Sequence, residues 1–202
     1  MEACIGELKT RTAHTVTAIE LDKSPPGIET DEHVAAVIPN IIEAVGTTVA
    51  DTYILGCFSD PGIATVRRAA PAPVLGIAES AYLSALGLGS TFGIVSLGPS
   101  SISRHWRYLA ELKLERRLAG DRSIDMTIPQ LIANNVVETV SRAARQLRDE
   151  DGADVVILGC AGLGTYRRAI EAELGLPVVD PVQAAVARAI GMLDLNYHGR
   201  AH

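Results

Sequence analysis

Two cysteines are the residues of this 202-residue chain best placed to do chemistry, because each closes the same motif. Ala50-Asp51-Thr52-Tyr53-Ile54-Leu55-Gly56-Cys57 and Ala153-Asp154-Val155-Val156-Ile157-Leu158-Gly159-Cys160 agree at six of eight positions, and an Arg-Arg-Ala triplet follows each. The match continues from Pro73-Val74-Leu75-Gly76 to Pro177-Val178-Val179-Asp180, so the chain is an internal duplication whose copies each span about half of it. A cysteine that closes an apolar strand is, taken alone, most often a small buried hydrophobe. Its recurrence at one place in both copies argues for a shared task, although inherited packing in an inactive descendant would leave the same trace.

The chemistry open to such a pair is proton transfer. One thiolate removes a proton from a carbon beside a carbonyl, and the opposing thiol delivers a proton to the other face, so the carbon inverts without a cofactor. Cysteine suits both roles, since its reference pKa of ~8.5 needs only a modest downward shift to give a base near neutrality. The developing enolate oxygen needs donors, and the backbone amides near Phe58, Ser59, Ala161 and Gly162 are the candidates.

These residues must be positioned by the elements around them. Apolar runs near 15–21, 52–57 and 73–77 in the first copy, and near 91–97, 154–160 and 177–179 in the second, predict strands. Helices are expected near 31–46, 61–70, 78–87, 100–118, 129–149, 164–174 and 181–193. Strands alternating with helices predict an α/β fold of parallel sheets flanked by helices. The duplication predicts two pseudo-symmetric lobes facing each other across an active-site cleft, with 1–91 plus 181–202 in lobe 1 and 92–180 in lobe 2. Both cysteines then lie beyond the carboxyl ends of strands, where parallel sheets bind ligands and helix N-termini favour thiolates. One asymmetry stands out: the second copy opens with a strand at 91–97, and the first has no counterpart, because Met1 begins inside the helix that should follow. A misplaced start, a shortened chain and a lost strand are the three readings.

Composition excludes several classes. A formal net charge of −6 offers no broad cationic surface for nucleic acid. Cys4, Cys57 and Cys160 show no zinc-ligand spacing or disulfide framework, which fits a reducing cytoplasm, and the N-terminus carries no export signal. The uncharged run at 80–103 is broken by Ser, Gly and Pro99, so no membrane span is expected. Gly87-Leu88-Gly89 with Gly93 has the wrong spacing for a dinucleotide loop and precedes a strand, so no cofactor is expected. The histidines form no metal motif and are read as surface or capping residues. Arg104-His105-Trp106-Arg107-Tyr108 is read as a solvated helix face, Glu79 as an acid at a helix start, and Asp60 before Pro61 as the N-cap of its own helix.

The two cysteine motifs resemble those of the Asp/Glu/hydantoin racemase family. Cys57-Phe58-Ser59-Asp60-Pro61-Gly62 is similar to the first cysteine motif of its hydantoin and allantoin racemase branch, and Leu158-Gly159-Cys160-Ala161-Gly162-Leu163 to the second. Val74-Leu75-Gly76-Ile77-Ala78-Glu79, the strand at 92–97 and Pro177-Val178-Val179-Asp180 extend the likeness over most of the chain. The resemblance implies Cys57 and Cys160 as the acid/base pair, with Phe58, Ser59, Ser96, Leu97, Ala161, Gly162 and Leu163 around a small-molecule substrate. Amino-acid racemases of the family carry Asn-Thr after the first cysteine and Thr after the second. Phe58-Ser59 and Ala161 depart from that pattern, which points away from aspartate and glutamate toward a 5-substituted hydantoin, allantoin or a similar cyclic ureide. The Asn-Pro-Asn-Thr-type loop that ends the family's first strand has no match here, in keeping with the strand missing from the repeat.

Two other outcomes remain open at this point. The same scaffold can use one cysteine for decarboxylation of an arylmalonate or cis–trans isomerisation of maleate, and a degenerate member can bind without catalysis. The sheet edge left by the absent strand points to self-association as a homo-oligomer.

Overall fold

The computed structural model describes residues 2–25, 27–133 and 136–197. The first copy contains α1 (Glu2–Lys9), α2 (Asp31–Thr47), β1 (Tyr53–Leu55), α3 (Ile63–Ala69), β2 (Val74–Gly76) and α4 (Ile77–Leu86). The second contains β3 (Phe92–Ser96), α5 (Pro99–Glu111), β4 (Leu118–Ser123), α6 (Ile128–Ala133), α7 (Val137–Asp149), β5 (Val155–Leu158), α8 (Arg167–Leu174), β6 (Val178–Val179) and α9 (Pro181–Asp194). All strand pairs are parallel: β1 pairs with β2, and the second sheet runs β4-β3-β5-β6. The α/β architecture of parallel sheets flanked by helices is thus the one the alternating pattern predicts.

The residue types explain the layers. Every residue of β3 and β5 is buried, which is why these strands are unbroken apolar runs without polar alternation. α7 buries Val140, Ser141, Ala143, Ala144 and Leu147, one stripe at helical spacing, against β3 and β4. That contact is close: a Cβ on Gly93 of β3 would stand 2.8 Å from Leu147. On the other side, α2 and α3 cover β1 and β2 through Val37, Ile41, Val45 and Val66. The central core joins the copies, since Phe58, Ile77 and Tyr82 pack in one cluster with Phe92, Ile94 and Val155, and α9 returns to pack on α4.

Four expected elements differ. The helix anticipated over 100–118 ends at Glu111, where Lys113 takes a φ of 58°, and Leu118–Ser123 is the edge strand β4. Its polar residues conceal it, because an edge strand with one neighbour needs no apolar alternation. Residues 15–21, anticipated as a strand, form none. By element order their counterpart is β4, which pairs with β3; the described residues of the first copy contain no counterpart of β3, so 15–21 has no ladder to join. The helix anticipated over 129–149 is two helices, α6 and α7. The one anticipated over 164–174 starts at Arg167, after a 3-10 segment Ala161–Tyr166.

Candidate active site

Cys57 and Cys160 follow β1 and β5, and an N–H three residues on closes a turn after each. The Asp60 N–H donates to the Cys57 carbonyl at 3.0 Å, and the Leu163 N–H to the Cys160 carbonyl at 3.1 Å. The N–H two residues on donates to the sulfur at the second turn, Gly162 to Cys160 Sγ at 3.4 Å, and at the first turn the Ser59 N–H and hydroxyl pull the Cys57 thiol down. The Gly162 amide, one of the donors expected near a substrate oxygen, thus also meets the thiol. A donor on sulfur favours the thiolate. At Cys57 burial outweighs this: it pushes the thiol up from its ordinary value, against the pull of the Ser59 N–H and hydroxyl and of the Arg104 guanidinium. The downward shift expected at a strand end is thus opposed there by burial. The helix geometry also differs between the two. Cys160 is the N-cap of the 3-10 segment, whereas α3 starts only at Ile63.

Gly159 is required by the sheet. Its N–H donates to the Val95 carbonyl at 2.8 Å, and a Cβ there would stand 2.6 Å from that same oxygen. The second Gly-Cys pair is thus locked to β3.

Asp60 reverses the expected capping. It does not cap α3, whose N-cap is Gly62 with a φ of 62°. Its carboxylate, 2% exposed, accepts the Ala78 N–H at 3.0 Å and the Glu79 N–H at 2.9 Å, so it caps α4. A Cβ on Gly76 would overlap that carboxyl. In the second copy the position of Gly76 is held by Asp180, which caps α9 itself by accepting from Val182 at 2.8 Å. One helix start is thus capped locally and the other by a residue three positions after the cysteine, which ties the Cys57 turn to α4. Glu79 lies in the first turn of α4 as expected, paired with Arg67 at 3.0 Å and accepting from Tyr108 at 3.2 Å.

Burial pushes the Asp60 carboxyl up to about 7. The folded chain then keeps a proton that the unfolded chain releases near ~4, so this group's contribution to stability falls as pH rises through that interval and levels off above it. The thermal midpoint of wild type minus that of Asp60→Asn should be larger at pH 5 than at pH 8. A difference independent of pH would contradict the assignment.

The remaining site candidates are distributed as follows. Phe58 is 4% exposed and packs edge-on to Tyr82 and His105, with ring centroids 5.7 and 5.0 Å away. Ser59 is half-buried beside Cys57, Ala161 packs against the central core, and Leu163 is fully buried. Gly162 is exposed, with Leu131 2.9 Å from where a Cβ would stand. Leu97 lines a cavity of about 270 Å³ with Gly98, Pro99, Asp125, Met126 and Glu29, at the seam between the copies; neither cysteine lines it. Ser96 is fully buried and its hydroxyl is engaged internally, donating to Asp121 and lying 3.2 Å from His105 Nδ1.

The segment read as a solvated face is half wrong. Trp106 and Arg107 are exposed, but Arg104 and His105 are 7% and 2% exposed. Arg104 donates to the Glu29 carbonyl at 3.1 Å and lies 3.6 Å from Asp31, clamping α5 to the first copy. His105 Nδ1 lies 2.8 Å from Asp121 Oδ2. The signal for His105 was its place four residues before the buried Leu109 on one helix face. Among the described residues no group of three or more His, Cys, Asp or Glu could hold a metal ion, and no helix is long and apolar enough to cross a membrane.

The family described as Asp/Glu/Hydantoin racemase matches residues 1–189. A hydantoin racemase of Paenarthrobacter aurescens is 34% identical over 197 residues, covering 92% of this chain and 81% of the relative. A hydantoin racemase of Rhizobium meliloti is 30% identical over 207 residues, covering 97% and 84%. Among solved structures, allantoin racemase from Klebsiella pneumoniae aligns with a TM-score of 0.91 at 26% identity, over 100% of this chain and 85% of that one.

Proposed function

The chain belongs to the Asp/Glu/hydantoin racemase family, and from that premise we propose that it racemises a 5-substituted hydantoin, allantoin or a similar cyclic ureide, with Cys57 and Cys160 as the acid/base pair. The observation that carries the reading is the repeated cysteine turn, each at the carboxyl end of a parallel strand and each closed by an N–H three residues on that donates to the cysteine carbonyl. A single-cysteine decarboxylase or isomerase would have no need of the second turn.

In this mechanism one sulfur, as thiolate, takes the proton from the ring carbon next to the carbonyl. The electron pair moves onto the carbonyl oxygen, and the other thiol protonates the carbon from the opposite face. The thiolate and thiol have then exchanged roles, which is the state that accepts the opposite enantiomer. Which sulfur takes the proton is set by the face on which the bound enantiomer presents its hydrogen. Positioned proton transfer supplies ~10² to 10⁴ in rate, so donors on the enolate oxygen must supply the rest. Phe58 and Ala161 favour a ureide over an amino acid: the first is a buried ring and the second a methyl, and neither gives an α-carboxylate a hydrogen bond.

Polarimetry on single enantiomers of 5-substituted hydantoins, allantoin, aspartate and glutamate, with an arylmalonate and maleate followed alongside by chromatography, tests the proposal. Decay of rotation is expected for a ureide and for neither amino acid. Turnover of aspartate, glutamate, arylmalonate or maleate without any ureide would overturn it.

A further inference from the structure

Ser96, His105 and Asp121 form a buried hydrogen-bonded cluster, and we propose that it is a positioning device that holds the Cys57 turn at its working distance from Cys160. The inference rests on the two-cysteine reading above. The three side chains are fully buried or nearly so, with His105 and Asp121 both at 3% side-chain exposure. His105 Nδ1 lies 2.8 Å from one Asp121 oxygen, and the Ser96 hydroxyl donates to the other.

The arrangement is not a hydrolytic triad. Serine and aspartate both meet the same ring nitrogen, Nδ1, and the serine proton points to the carboxylate, so nothing is arranged to activate the Ser96 oxygen. The cluster instead fixes the imidazole ring. Asp121 on β4 and Ser96 at the end of β3 hold Nδ1–H, and the ring presents its face or edge to Phe58 at 90° and 5.0 Å. Phe58 is bonded to Cys57. On the other flank β3 accepts the Gly159 N–H through Val95, and Gly159 is bonded to Cys160. A continuous path of buried contacts therefore joins the two sulfurs: Cys57, Phe58, His105, Ser96, Val95, Gly159, Cys160. Each link is a bond along the chain or a packed or hydrogen-bonded contact, with little freedom.

The test separates the cluster's two parts in the full chain. His105→Asn keeps an N–H near the Nδ1 position for Asp121 but removes the ring from Phe58. Phe58→Leu removes the partner ring and leaves the cluster intact, which guards against misfolding of the first variant. For each, kcat and KM for ureide racemisation are measured with the thermal midpoint. Selective alkylation of Cys57 and Cys160 by iodoacetamide, resolved by peptide mass spectrometry, is measured in parallel. The expected result is a fall in kcat of at least about tenfold in both variants, with KM within about twofold for His105→Asn, and faster alkylation of Cys57 with Cys160 unchanged. Wild-type kcat in both variants, or equal changes at both cysteines, would overturn the proposal. If the wild-type chain racemises no ureide, the racemase reading fails, and the alkylation pattern alone still decides whether the cluster holds Cys57.

Discussion

Replacing Cys57 or Cys160 by serine, one at a time, should lower racemisation by about 10³ or more in both directions, with little change in circular dichroism. Each turnover needs a base on one face and an acid on the other, and a hydroxyl is far too weak an acid, and its conjugate too rare a base, to substitute near neutrality. The two variants should differ in what survives. The one keeping Cys160 should still exchange the substrate proton with solvent, starting from the enantiomer that presents its hydrogen to Cys160. The one keeping Cys57 should do so from the opposite enantiomer. The serine at position 160 enters an apolar cluster, so Cys160→Ala serves as the check that any loss is chemical. Chiral chromatography of the two enantiomers over time reads both quantities. Full racemisation by either single variant would exclude the paired mechanism.

Gly159→Ala should be nearly as damaging although it removes no reactive group. A methyl there would stand 2.6 Å from the Val95 carbonyl oxygen and 2.9 Å from Ile94 Cγ2, and the first of these belongs to the backbone of a central strand. Neither neighbour can rotate away, so β5 must shift from β3, which lengthens the Gly159 N–H to Val95 hydrogen bond and moves Cys160. Overpacking of this kind costs roughly 2 to 3 kcal/mol, and an ångström at a proton-transfer group costs ~10² in rate. Chemical denaturation and kcat measured on one preparation test this together. An alanine variant with unchanged midpoint and unchanged kcat would show that the Gly-Cys pair is not locked to β3.

How far the amino-acid order alone reveals this molecule depends on whether a residue's neighbours are close in the chain. The strands β3 and β5 are legible because burial on both faces demands continuous apolar runs, and β1 and the cysteines that follow β1 and β5 are legible because the duplication repeats them. β4 is not legible: its sequence, Leu118-Ala119-Gly120-Asp121-Arg122-Ser123, is polar at an edge and follows a charged helix. Its Arg122 pairs with Asp151 at 2.6 Å, which a local pattern cannot register. Asp60 shows the same limit. Beside Pro61 it has the form of a local cap, yet it crosses to α4 because Gly76 leaves the space that Asp180 fills in the other copy. His105 sits among charged and exposed neighbours, and only its spacing from Leu109 hints that it faces inward, toward a serine and an aspartate from two other strands. The rise in the Cys57 thiol is a product of burial in the assembled core, against the shift that a strand-end position suggests.

The most direct test of the central claim is racemisation in deuterium oxide from each pure enantiomer, stopped at low conversion and read by mass spectrometry of the separated enantiomers. Two opposed thiols predict deuterium in the product enantiomer and none in the recovered starting enantiomer, from both directions. Deuterium appearing in the recovered starting material as fast as in the product would mean that one group serves both faces, and would contradict the paired-cysteine account.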